Sequence, residues 1–244
     1  MWRVTVEEAG RSGAENMASD FALLEDAERG GPPALRFYRW NPPGLSFGRN
    51  EPALSRYDRS RIERLGIAVV RRPTGGGAVW HEDEVTYAVA APIAAFGGLR
   101  AAYRAIHERL AAGLRAAGFA VEIAAERRSP GPGPCFAGAV GGELVAGGRK
   151  LAGSAQVRLG GAFLQHGSIL LGGSQDAVRA VSRQPVTPAR ETTLSALAGR
   201  AVSFREVVAA LVEAWGPDVA PGTPGPPPPR LVARFADPSW IWRR

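Results

Sequence analysis

This chain predicts an α/β domain, on three observations. Residues 14 to 29 place Met17, Phe21 and Leu24 at i, i+4 and i+7, the spacing of an amphipathic helix. Short apolar runs such as Leu35 to Trp40 and Ile67 to Arg72 have strand length and lie between turn signals. Two alternating segments meet at Gly160-Gly161, and a two-residue glycine connection favours a hairpin because primed turns need positive φ. At 244 residues the chain can bury one full core. It reads as one domain over residues 1–216 and a C-terminal extension over 217–244.

Taken in order, the helix at 14–29 is followed by the strand-like runs Leu35 to Trp40 and Gly44 to Arg49, separated by the turn Asn41-Pro42-Pro43. Residues 58–65 read as a short helix and 67–72 as a buried strand. A glycine loop comes next, then strand up to Ala91, then a helix rich in alanine and arginine from about Arg100 to Ala117. A further strand is expected over 119–124, and Arg127 to Gly133 reads as a loop that ends beside Cys135. Leu144 to Leu159 and Ala162 to Leu171 are the two strands of the expected hairpin. Ser203-Phe204-Arg205-Glu206 has the form of a capping box ahead of a helix over Val207 to Trp215. Pro221 to Pro229 reads as a proline-rich extended linker, and the tail from Phe235 carries two tryptophans that should pack back on the domain.

Lys and Arg together number 30 against 23 Asp and Glu, giving a formal charge of +7. A positive field attracts nucleic acid, anionic lipid and acidic protein alike. Here the arginines are scattered in runs no longer than two, so no nucleic-acid partner is expected. No segment approaches the run of about 18 apolar residues that a membrane span needs, and the N-terminus lacks the pattern of a signal peptide. The expected location is the cytoplasm, with no membrane partner. A single cysteine, Cys135, excludes an internal disulfide and a cysteine-rich zinc site, and with three histidines no metal is expected.

Lys150 is the only lysine, so 29 of the 30 basic residues are arginine. A compact ammonium used once, where arginine serves everywhere else, points to a place where a point charge must stand close to a reacting atom. With period-2 alternation, Lys150, Ala152, Ser154 and Gln156 share one strand face, which can offer the lysine and two hydrogen-bonding side chains to a ligand. Arg71-Arg72-Pro73-Thr74-Gly75-Gly76-Gly77-Ala78-Val79-Trp80-His81 is the most specific stretch. Three glycines after a strand let the backbone turn sharply and approach a ligand closely, with arginines beside them for an anionic or thioester-linked group. If the Gly160-Gly161 loop is strictly two residues, Ala155 lies opposite His166 and both face away from Lys150, which would make His166 a packing residue; a bulge would reverse this. His107 falls in mid-helix and is read as structural. Cys135 is read either as a small buried hydrophobe or as a thiol delivered by the end of a Pro/Gly loop.

The stretch from Arg71 to His81 resembles the signature of the biotin and lipoate protein ligase superfamily. Gly48-Arg49-Asn50, Gly148 to Gln156 and His166 to Leu171 agree with it in order, and the resemblance covers most of the chain. Pro134-Cys135-Phe136, fifteen positions before Lys150, is similar to the cysteine-dependent octanoyltransferase branch. That resemblance implies mixed, largely antiparallel sheets flanked by helices. It implies that Cys135 is acylated by octanoyl-acyl carrier protein and that a lysine of a lipoyl domain or of glycine cleavage H protein takes the chain as an amide, with no cofactor. Lys150 would favour the thiolate of Cys135 and donate to the acyl carbonyl as charge develops there. Substrate would be held by Arg72, Thr74, Gly75, Gly76, Gly77, His81, Gly153, Ser154, Ala155, Gln156, His166 and Gly167. The glycine loop and the hairpin would wall an apolar slot, in which the carbons of the chain, at about 0.8 kcal/mol each, contribute up to roughly 5 to 6 kcal/mol. An ATP-dependent lipoate ligase shares these motifs but needs no cysteine and commonly has an accessory domain, for which there is no room after Trp215. A biotin-sensing, non-catalytic protein would place a helix-turn-helix first, and residues 1 to 30 are too short for one.

Overall fold

In the computed structural model, residues 1–125, 136, 141–186 and 190–243 are described. Strand β1 (Trp2–Arg11) leads into helix α1 (Gly13–Glu28), which opens on a capping box: the Ser12 hydroxyl accepts from the Glu15 backbone, and the Glu15 carboxylate accepts from the Ser12 N–H at 3.0 Å. Then follow β2 (Ala34–Trp40), β3 (Gly44–Phe47), α2 (Ala53–Arg56), α3 (Arg59–Arg64), β4 (Ala68–Arg71), β5 (Val79–His81) and β6 (Glu84–Pro92). Helix α4 (Leu99–Ala116) precedes β7 (Glu122–Ile123), β8 (Leu144–Ala146), β9 (Arg149–Lys150), β10 (Ala152–Leu159) and β11 (Ala162–Leu170). The rest is α5 (Asp176–Ala180), α6 (Leu194–Ala198), α7 (Phe204–Ala214), β12 (Val219–Pro221), α8 (Pro229–Ala236) and α9 (Pro238–Ile241).

The main sheet runs β10-β11-β6-β2-β1-β12. It is antiparallel from β10 to β2 and parallel from β2 to β12, hence mixed as expected. Two three-stranded sheets, β4-β3-β5 and β7-β8-β9, flank it. Strand alternation sends Leu35 and Phe37 of β2 to one face, into a core shared with Ile106, Leu110 and Leu114 of α4 and with Val207 and Leu211 of α7. The opposite face receives Tyr38 and Trp40, together with Met17 and Leu24 of α1 and Leu231 and Phe235 of α8. Strand β11 is buried along its whole length because both faces are covered.

The hairpin at Gly160-Gly161 is a two-residue loop, with Leu159 paired to Ala162 and Ala155 to His166. Its first arm departs from the expectation. Leu144 to Leu159 is not one strand: Gly147 and Gly148 both take positive φ (55° and 71°) and fold β8 against β9. The chain then passes buried Leu151 and enters the main sheet only at Ala152. The strand expected at 119–124 shrinks to Glu122–Ile123, since Phe119 N is still bonded back to Leu114 O after the turn at Gly118. The strand expected as buried over 67–72 is buried only in its second half, because β4 is the edge of its sheet. The short helix α2 gave no sequence signal. Ser203 accepts from Glu206 N at 3.2 Å and caps α7, which begins at Phe204 rather than Val207. Beyond residue 216, β12 forms the edge of the main sheet, Trp242 packs edge-on to Phe47, and Trp240 Nε1 donates to Arg71 O at 2.9 Å. Among the described residues no helix is long and apolar enough to cross a membrane. The expected loop at 127–133 and Cys135 lie outside the described residues.

Candidate active site

A mostly apolar cleft lies on the α1 face of the main sheet. Its floor is a row of directly paired residues, Gly153 on β10, Ser168 on β11, Thr86 on β6 and Tyr38 on β2. Met17 of α1 and Val79 and His81 of β5 add walls. The glycine loop between β4 and β5 stands beside it. Gly76 takes φ +91° and comes so close to Gly48 that a Cβ there would lie 1.8 Å from Gly76 O, so only glycine fits at 48.

Two buried polar arrays fasten this loop to the sheet. In the first, Asp20 of α1 accepts from Arg36 Nη1 at 2.8 Å, from the Tyr38 hydroxyl at 2.8 Å and from His166 Nδ1 at 2.9 Å. His166 Nε2 stands 2.7 Å from Thr74 Oγ1. Burial disfavours the Asp20 carboxylate, but His166, Arg36 and Tyr38 outweigh that and hold it below the usual carboxylate range. The order hydroxyl, imidazole, carboxylate is that of a nucleophile triad. Thr74, however, is only 1 % exposed and does not reach the cleft wall, so the array braces the loop.

In the second array, burial, aided by Arg72 and opposed by Glu84, pushes His81 below its ordinary value, and the ring is neutral at pH 7. Its Nδ1 donates to Glu84 Oε1 at 2.7 Å, and Nε2 accepts the Ser46 hydroxyl at 2.6 Å. Arg72 Nη1 donates to Ser46 Oγ at 2.5 Å, and Nη2 to the carbonyls of Gly75 (3.0 Å) and Gly77 (2.9 Å). Arg72 was expected to meet an anionic group of the substrate; instead these donors satisfy carbonyls of a loop that has no side chains of its own to do so. Trp40 stacks on His81, rings 3.8 Å apart, and its Nε1 donates to Thr86 Oγ1 at 2.9 Å.

The other face of β10 and β11 looks toward α4. There Gln156 donates to Gln165 Oε1 (2.9 Å), Gln165 to the Tyr87 hydroxyl (2.8 Å), and Tyr87 to Ser154 Oγ (2.7 Å). Burial, with the charge of Lys150 adding to it, pushes His107 down to about 4. The neutral ring accepts from Ser154 at Nε2 (3.0 Å) and donates from Nδ1 to Tyr103 O (2.8 Å). Lys150 itself is buried, with Nζ donating to buried Glu143 Oε1 at 2.8 Å and lying 5.2 Å from the centre of the Phe136 ring. Phe136 packs in turn with Val79 of the cleft wall.

The face expected to hold ligand, that of Lys150, Ala152, Ser154 and Gln156, is therefore not the cleft face. Ala152 belongs to the α4 core, and Gln156 is bonded to Leu99 O and Gln165. The pairing of Ala155 with His166 is the expected one, but it puts His166 in the cleft wall and not in the packing. Arg72, His81, Gly153, Ser154, Ala155, His166 and Gly167 come together around the cleft. Thr74 and Gly75 to Gly77 support it, Lys150 stands on β9 next to its β10 end, and Cys135 lies outside the described residues. Gly167 has no room for a side chain: a Cβ would meet Ser154 Oγ at 2.4 Å. Sequence reasoning missed Asn16 and Asp20, whose i, i+4 spacing on the apolar stripe of α1 was the available signal, and Ser46, Glu84, Ser168 and Glu143.

Comparison with known proteins identifies the family. The family model described as lipoyl protein ligase A/B catalytic domain matches residues 12–216. The octanoyltransferase LipM of Moorella thermoacetica is 43 % identical, covering 82 % of this chain and 76 % of that protein. The octanoyltransferase LipM of Exiguobacterium sibiricum is 37 % identical, covering 100 % and 99 %. Two solved structures share the fold: lipoate-protein ligase A bound with ATP (TM-score 0.81, 24 % identity, 98 % of each chain) and a bipartite lipoate protein ligase from Thermoplasma acidophilum (TM-score 0.77, 23 % identity, 98 % and 95 %). On the family model and these relatives, the chain belongs to the lipoyl protein ligase A/B catalytic-domain family.

Proposed function

We propose that the chain is an octanoyltransferase of lipoate biosynthesis that works through an acyl thioester on Cys135, with octanoyl-acyl carrier protein as donor and a lysine of a lipoyl domain or of glycine cleavage H protein as acceptor. The acyltransferase activity follows from the octanoyltransferases to which the chain is 36 to 44 % identical over most of its length. The observation that carries the mechanism is Phe136. This residue directly follows Cys135; its ring centre lies 5.2 Å from Lys150 Nζ, and it shares a buried cluster with Val79 of the cleft wall.

In this reading the Cys135 thiol gives its proton to solvent, the thiolate attacks the thioester carbonyl, the bond to the donor sulfur breaks, and the donor leaves as a thiolate that takes a proton back from solvent. The neutral amine of the acceptor lysine then adds to the acyl carbon, loses a proton, and releases Cys135 as the amide forms. Lys150 Nζ donates to the carbonyl oxygen as negative charge develops in each step, and Glu143 holds the ammonium in place. The chain lies in the cleft on the His166 face. No nucleotide enters the scheme.

Incubation with octanoyl-acyl carrier protein and no ATP should add the mass of one octanoyl group, removable by hydroxylamine, and Cys135→Ala should show no adduct and no transfer. A ligase would leave that thioester untouched, require ATP with free octanoate or lipoate, and keep its activity in the alanine variant.

A further inference from the structure

A groove of about 530 Å³ lies between α3 and α5, outside the cleft. Arg61 lines it from α3, and Asp176, Arg179 and Arg183 line it from α5 and the turn that follows. Helix α5 buries Val178 and Val181 in the core shared with Leu45 and Phe47 of β3, which leaves the three charged residues exposed. The turn is fastened to the facing wall: Ser182 bridges Tyr57, and Arg183 N donates to Arg56 O at 2.8 Å. Asp176 takes up Arg179 in an exposed pair at 2.8 Å, which is worth little in water, and Arg61 enters no ion pair among the described residues. Three arginines thus share one acid, and the groove keeps a surplus of positive charge.

The groove is tied to the reacting end of the site. Gln175, immediately before α5, accepts from Trp80 N (2.9 Å) and donates to Trp80 O (2.8 Å) on β5, the strand whose Val79 and His81 wall the cleft. Its own N–H donates to Glu191 Oε1 at 3.1 Å, and Glu191 pairs with Lys150 in an isolated bridge. Across that bridge, along the Glu191 side chain and one turn down α5, Arg179 lies within about 20 Å of Lys150. A carrier protein holds its thioester on a flexible arm that begins at a phosphodiester. About thirteen bonds separate that phosphorus from the thioester sulfur, and at roughly 1.2 Å per bond the extended arm spans about 16 Å. With the thioester beside Lys150, the phosphodiester comes within reach of the guanidinium groups of the groove.

We propose that the groove of Arg61, Arg179 and Arg183 binds the phosphodiester at the root of the donor's arm. The inference rests on the reading of the donor as octanoyl-acyl carrier protein. A planar guanidinium donates to phosphate oxygens in pairs, so arginine suits such a site better than a point charge.

Acylation of Cys135 would be timed by intact mass with three octanoyl donors: the thioester of pantetheine, that of 4′-phosphopantetheine, and the acyl carrier protein. Arg61→Gln/Arg179→Gln should lower kcat/KM about tenfold for the two phosphorylated donors and leave the pantetheine thioester unchanged, since each exposed charge lost at close range is worth a few-fold. Asp176→Asn should act in the opposite direction on the same two donors. An equal change on all three donors, no change on any, or a loss with the carrier protein alone would overturn the phosphodiester site. So would a loss seen only in transfer to a lipoyl domain, which would assign the groove to the acceptor. If no thioester acylates the wild type, calorimetry of the two small thioesters with Cys135→Ala separates the two readings. Tighter binding of the phosphorylated thioester, lost when Arg61→Gln/Arg179→Gln is added, keeps the groove while the acyl-enzyme mechanism fails, and equal binding of both thioesters overturns the groove as well.

Discussion

Two faces of the same hairpin, β10 and β11, do different work. On the α1 face the side chains shrink to Gly153 and Ala155 and leave a cleft, whose polar neighbours are tied in pairs that end on the glycine loop. On the α4 face the space is filled, and a line of hydrogen bonds from Gln156 to His107 runs through it toward Lys150. The first face leaves an open cleft; the second holds a charge in position. The contrast teaches that period-2 alternation alone finds the two faces but does not say which one is open. That is decided by what packs on each, a helix bearing Ile106 and Leu110 on one side and a helix bearing Asn16, Met17 and Asp20 on the other.

The largest effect expected from breaking either face is on stability. Asp20→Ala leaves Arg36 its pair with Glu7 but removes the acceptor shared by Arg36 Nη1, the Tyr38 hydroxyl and His166 Nδ1, and these buried donors, at about 1 to 3 kcal/mol each, cost about 3 to 5 kcal/mol together. Denaturant unfolding should show that loss, and a change under about 1 kcal/mol would mean the Asp20 array does not hold the cleft face together. On the other face, Lys150→Arg keeps the charge but not the compact ammonium. It should lower kcat by about a hundredfold to a thousandfold, the range for losing one donor to a developing oxyanion, with the fold unchanged by circular dichroism. Near-normal turnover would remove Lys150 from the chemistry.

Much of this was legible in the residues themselves. The glycine loop, the Gly160-Gly161 turn and the α1 stripe each depend on local spacing, and each took the form its spacing dictates. The cleft floor was not, because its four residues come from four separate strands and become a row only through register. Asp20 was concealed among the other acids of α1, and Glu143 has no local pattern that marks it as the partner of Lys150. The break at Gly147-Gly148 was hidden because alternation continues through it in sequence while the backbone reverses.

Acid should weaken both faces through buried neutral histidines. His107 is held at about 4 against an ordinary value of 6.5, so the unfolded chain binds its proton first. The stabilisation is fully present above pH 6.5 and is lost as pH falls through that window to about 4. Each tenfold difference in proton affinity between the folded and unfolded chain is worth about 1.4 kcal/mol, so the loss amounts to roughly 3 kcal/mol. His81 acts in the same direction. His107→Gln should flatten the slope of unfolding free energy against pH between 6.5 and 4, and an unchanged slope would place the acid sensitivity elsewhere. The smallest effect concerns docking: with a net charge of +7, the Michaelis constant for an acidic donor protein should rise a few-fold between low and moderate salt. A flat response would take electrostatics out of donor recognition.

The most direct test of the account is a single turnover. Protein acylated by octanoyl-acyl carrier protein is freed of donor and mixed with a lipoyl domain in the absence of nucleotide, and both masses are followed in time. The account predicts that the octanoyl group leaves Cys135 and appears on the acceptor lysine at the same rate. An adduct that persists, with the acceptor modified only when ATP and free octanoate are supplied, would contradict it.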